Sequence, residues 1–140
     1  MTTPESPSRF ARIAVHVARI LLGLVFFVFG LGALLNWFPP PPPETLPPKL
    51  VAFDAAMRSS GYLFGLVKGT ETAMGVLLLL NRFVPLALVI LAPVIVNIVL
   101  VNLLMAPFGL PVALVVLALE IYLAWAHRRA YAPLLTARFV

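Results

Sequence analysis

Four long stretches of the chain are almost wholly apolar, and polar residues break them at only a few points. Ile20 to Phe38 is nineteen residues with Asn36 alone strongly polar. Lys68 and Glu71 interrupt Tyr62 to Leu80, Asn97 and Asn102 interrupt Phe83 to Met105, and Glu120 interrupts Gly109 to Ala126. At 1.5 Å per helical residue, each stretch covers most of a roughly 30 Å hydrocarbon core. With their flanking turns the predicted spans are about 13–38, 60–80, 83–106 and 109–128. Short connections make sequential spans antiparallel neighbours. The first connection opens with five consecutive prolines, Pro39 to Pro43, and closes with Pro47 and Pro48. Segment 39–48 is therefore predicted to be an extended, extracytoplasmic polyproline II strap, either a partner-docking strap or a stiff cover packed back on the bundle. In 49–59, Leu50, Phe53 and Met57 share one helical side while Asp54 and Arg58 lie four apart on another, which predicts an amphipathic helix in the interface. The expected fold is an all-α membrane protein. It is a four-transmembrane-helix antiparallel bundle with a short amphipathic interfacial helix between helices 1 and 2, in one domain, 1–140.

Composition agrees with that pattern. Of 140 residues, 62% are hydrophobic and only 11% charged, where a water-soluble domain carries about a quarter charged. The absence of cysteine excludes disulfides, thiolate metal sites, iron–sulfur clusters and a CxxC redox pair in this chain. The net charge of +5 does not indicate nucleic acid, because the basic residues sit at span ends. Arg9, Arg12 and Arg19 precede the first span, Arg82 lies in the second connection, and Arg128, Arg129 and Arg138 follow the fourth. Those ends are expected in the cytoplasm, with both termini inside. In the outer connections, Lys49 and Arg58 are offset by Glu44 and Asp54, and the turn around Pro107 to Pro111 is uncharged. A cleaved signal peptide fits poorly, since the first stretch exceeds an h-region and no A-x-A site follows. Expected partners are membrane lipids and other membrane subunits or further copies of the chain.

Depth counting brings Lys68, Glu71, Glu120 and Asn97 toward one layer near the midplane. A central Lys or Asp costs roughly 2.5 to 3.5 kcal/mol on insertion scales, so such side chains turn inward and find partners. Lys68 is expected to pair with Glu71, Glu120 or both, with Asn97 as a neutral neighbour. Two carboxylates on one ammonium leave one excess negative charge, which a bound proton or an inward-reaching Arg19 would offset. Asn102 and Tyr122 are further candidate contributors. A layer of this kind suits a quinol headgroup or a proton relay; the competing reading is interhelical glue. Pro93 frees the carbonyl of Val89 and predicts a kink. Gly23 and Gly30 on the first helix, and Gly65, Gly69 and Gly75 on the second, suit close helix packing. No phosphate loop, HExxH or nucleophile elbow is present, and no residues form a catalytic or metal-binding constellation.

Three stretches together resemble the DoxX family of small bacterial four-helix membrane proteins: "ARILLGLVFFVFGLGALLNWFPPPP", "SGYLFGLVKGTETAMGVLLLLNRFVPLALVILAPVIVNIVLVNLL" and "LEIYLAWAHRRAYAPLL". The resemblance covers nearly the whole chain after Ser8 and is strongest at K-G-x-E, Lys68 to Glu71, with "NRFVPLAL" and "LAPVIVNI" following. Lys68 and Glu71 match the family's polar pair and Asn97 its asparagine after the proline. Asn102 stands where the family frequently has histidine, so a role built on that histidine does not carry over. The family is named for a subunit associated with a terminal quinol oxidase and a thiosulfate:quinone oxidoreductase, so the resemblance implies a bacterial inner-membrane protein in a redox setting. A chain without cysteine or a metal constellation is poorly equipped for redox chemistry alone, so the expectation is an accessory subunit of a quinone-linked redox complex, not catalytic by itself, with no cofactor of its own and a quinone as the possible ligand. The alternative is a non-catalytic assembly or scaffold subunit.

Overall fold

The computed structural model describes residues 8–138. The chain ends, which the topology reading puts in the cytoplasm, lie outside the described residues. Helix α1 (Arg9–Leu34) starts at Ser8, whose Oγ accepts the Ala11 amide at 3.1 Å and caps the first turn. It stops four residues short of the expected span end because Asn36 takes the left-handed conformation, φ 55°. The amides of Leu35 and Trp37 then bond back to Leu31 and Gly32, both at 2.9 Å, and the second of these closes a Schellman motif. The reversal lays Phe38 against Gly32, where a Cβ would stand 2.6 Å from the Phe38 ring.

The chain then runs through exposed Pro39 to Pro43 and a short 3₁₀ turn, Pro43–Thr45, into α2 (Pro48–Ser59). Proline at the first helical position suits that start, where its missing amide costs nothing. Asp54 and Arg58 form the expected i,i+4 pair at 2.9 Å, and no α2 residue is buried. The chain bends by 92° between α2 and α3 (Leu63–Leu79). Gly61 at φ 84° permits the bend, and Ser60 Oγ accepts the Leu63 amide at 3.0 Å. A second asparagine ends α3 as Asn36 ends α1: Asn81 has φ 55° and the Arg82 amide bonds to the Leu77 carbonyl at 2.9 Å. Helix α4 (Val84–Leu104) runs unbroken through Pro93, and a Pro107–Gly109 turn leads into α5 (Leu110–Ala126) and the single turn α6 (Arg128–Tyr131).

Helix α1 packs most extensively on α3, α3 on α4, α4 on α5, and α5 back on α1. Their shared core includes the fully buried Leu22, Leu78, Leu88, Leu91, Ile95 and Leu123. Glycines let α1 and α3 approach closely: a Cβ on Gly75 would meet the Phe27 amide nitrogen at 2.6 Å, and one on Gly30 would meet Thr72 Oγ1 at 2.6 Å. Gly65 and Gly69 differ from the packing expectation, since a Cβ on either would enter open space. Outward faces carry exposed Phe29, Leu66, Leu86, Val112, Val115 and Trp125, a surface suited to lipid rather than water. Three helical segments, Arg9–Leu34, Val84–Leu104 and Pro107–Ala126, are long and apolar enough to cross a membrane; α2 and α3 together make a fourth if the bent pair is one span. The fold is thus all-helical and compatible with a multi-pass membrane protein.

Candidate functional site: separated buried charges

Glu71, Gly75 and Leu78 form the buried stripe of α3, and Lys68 stands one turn before Glu71. The Lys68 ammonium donates to Glu71 Oε2 at 3.2 Å, with the Glu71 side chain 4% exposed and that of Lys68 25% exposed. The pair sits where Gly30 of α1 comes against Thr72, whose hydroxyl donates to the Lys68 carbonyl at 2.7 Å. The two opposite charges are therefore compensated within a single helix.

Glu120 makes no ion pair or hydrogen bond with either of them. It lies on the buried α5 stripe of Ala113, Val116, Glu120 and Leu123, and its Oε2 is buried with no hydrogen-bond partner among the described residues. Tyr131, which the sequence reading missed, lies within electrostatic range of it. The Tyr131 hydroxyl donates to the Pro85 carbonyl at 2.9 Å and so ties α6 to the start of α4. Burial, with the Glu120 carboxylate nearby, raises the Tyr131 phenol above its ordinary range and keeps it a donor.

The remaining candidates do not join either group. Asn97 is exposed on α4, so the expected four-residue layer is not assembled: its helix face, not its depth, decides. Asn102 donates to the Ile98 carbonyl at 2.8 Å and occupies the space a Cβ on Gly109 would need, which makes it a packing residue of the α4–α5 turn. Arg19 does reach inward, but to backbone. Its Nη1 donates to the Leu78 carbonyl, which also accepts the Asn81 amide, and, at 3.3 Å, to that of Leu79, complementing the helix dipole at the α3 C-terminus. Tyr122 lines an open apolar groove of about 430 Å³ between α1 and α5, with Phe10, Ile13, Val17 and Leu119.

A quinone headgroup needs donors facing its two carbonyl oxygens across one space. Here the Lys68 ammonium is engaged by Glu71, Asn97 faces outward, and Glu120 stands alone, so the four residues do not fit such a pocket within one chain. His16 lies 3.4 Å from Arg19 and His127 bonds the Leu123 carbonyl at 2.9 Å. No group of three or more His, Asp or Glu side chains with metal-binding geometry occurs among the described residues. Compared with family models, with curated proteins and with solved structures, the chain matches none.

Proposed function

We propose that this chain is a multi-pass protein of the bacterial inner membrane, with cytoplasmic termini, and an accessory subunit of a quinone-linked redox complex whose cofactors sit on a partner. In this reading α1, α3, α4 and α5 form an antiparallel transmembrane bundle. The 92° turn out of α3 and the wholly unburied α2 support an interfacial position for α2. The resemblance to DoxX proteins supports the redox setting. The observation that carries a role beyond packing is Glu120, since a buried membrane carboxyl without a partner is costly and serves poorly as glue. In the complex it is a proton-handling or partner-contacting group. Glu120→Gln is expected to lower turnover of the complex severalfold without lowering its amount, read by native mass spectrometry and quinol oxidation in its own membranes. Unchanged turnover sinks the proton-handling role.

The scaffold reading has an observation of its own. Pro39 to Pro43 are exposed rather than packed back on the helices, which leaves the strap free for a partner. Deleting those residues then dissociates the partner while quinone chemistry persists.

A further inference from the structure

Asn97 lies well inside α4, seven residues before the helix ends at Leu104, yet it is exposed. Asn102, five residues on, satisfies its amide on the Ile98 carbonyl, whereas the Asn97 side chain has no hydrogen bond among the described residues. Its face also carries the exposed residues Val89, Pro93, Val96 and Leu100. Pro93 has no amide hydrogen, so the Val89 carbonyl loses its helical donor. One helical face therefore carries an exposed amide and, eight residues earlier, a carbonyl that lacks its i+4 helical donor. Hydrocarbon supplies no partner for either, and unpaired polar groups at this depth are unfavourable.

The geometry points to this face as a helix-docking surface for a second copy of the same chain, with Asn97 bonded across the interface to Asn97 of the other copy. A carboxamide both donates and accepts, so it is complementary to itself. Two copies inserted in the same orientation and related by a twofold axis along the membrane normal set their α4 helices parallel, with both Asn97 residues at one depth. No register adjustment is needed, whereas a different partner would need a polar group at that same depth. The inference rests on the chain spanning a membrane and is independent of the redox reading.

The chain has no cysteine, so single substitutions report the contact cleanly. Val96→Cys and Leu100→Cys on this face would be oxidised with copper phenanthroline in native membranes, beside Leu66→Cys on α3 and Val115→Cys on α5. All four positions are exposed. Disulfide-linked dimer is expected at positions 96 and 100 at about tenfold the yield at 66 and 115. Adding Asn97→Leu should remove most of that excess, and Asn97→Gln should keep part of it. Asn97→Leu replaces an outward-facing side chain, so the monomer fold persists, which a monodisperse elution profile checks. Equal yields at all four positions, a yield indifferent to Asn97→Leu, or adducts with another protein in place of the dimer would each overturn the proposal.

Discussion

Single residues decide where the helices stop and how the buried charges are met. Asn36 and Asn81 both occupy left-handed backbone at the ends of α1 and α3, which a β-branched side chain tolerates poorly. Asn36→Val or Asn81→Val is expected to cost about 1 to 2 kcal/mol each, and the corresponding glycine much less, as read by thermal unfolding in detergent. Lys68 and Glu71 are compensated within one helix. Lys68→Ala leaves a buried carboxylate alone, at about 3 kcal/mol. Exchanging the two residues should cost less than either single alanine, and equal losses across the three variants would rule out a simple intrahelical pair.

At the level of the elements, the α1–α3 contact depends on backbone proximity that only small residues allow. Gly30→Leu and Gly75→Leu would each drive a side chain into the facing helix, and losses of several kcal/mol or failure to assemble are expected, measured as loss of monodisperse protein after extraction. Gly69→Ala meets nothing and removes helix-weakening flexibility, so stability should hold or rise by about 0.5 to 1 kcal/mol. If Gly30→Leu were as well tolerated as Gly69→Ala, the close crossing would be wrong. Arg19 joins the same two helices differently, because its guanidinium donates to the Leu78 and Leu79 carbonyls at the end of α3.

For the whole molecule, the distribution of arginines sets the expected orientation. Among the described residues, Arg9, Arg12, Arg128, Arg129 and Arg138 lie toward the two ends of the chain, while in the α1–α3 connection Glu44 and Asp54 offset Lys49 and Arg58. In intact cells, a membrane-impermeant maleimide should label Ser59→Cys, beside the bend into α3, and leave Thr136→Cys unlabelled until the membrane is opened. The reverse pattern would invert the topology and place the proline segment in the cytoplasm.

The run of apolar residues was enough to read the chain as helical, with segments long and apolar enough to cross a membrane. Twenty or so apolar residues have few other stable arrangements in lipid. The same local logic reached the Asp54–Arg58 pair and the Lys68–Glu71 pair, because residues three and four apart on a helix are neighbours whatever surrounds them. Helix rotation was not legible, since α4 and α5 are apolar on every side and their pattern marks no inner face. Asn97 was therefore expected inside and faces out, and of the two carboxylates offered to Lys68 it is Glu71 that pairs, while Glu120 Oε2 is buried without a hydrogen bond among the described residues. Nor did spacing separate Gly30 and Gly75, which lie against a facing helix, from Gly65 and Gly69, which do not. Depth in a membrane is counted along the chain, but the face a residue presents is set by which helices pack on which, and only the tertiary structure decides that.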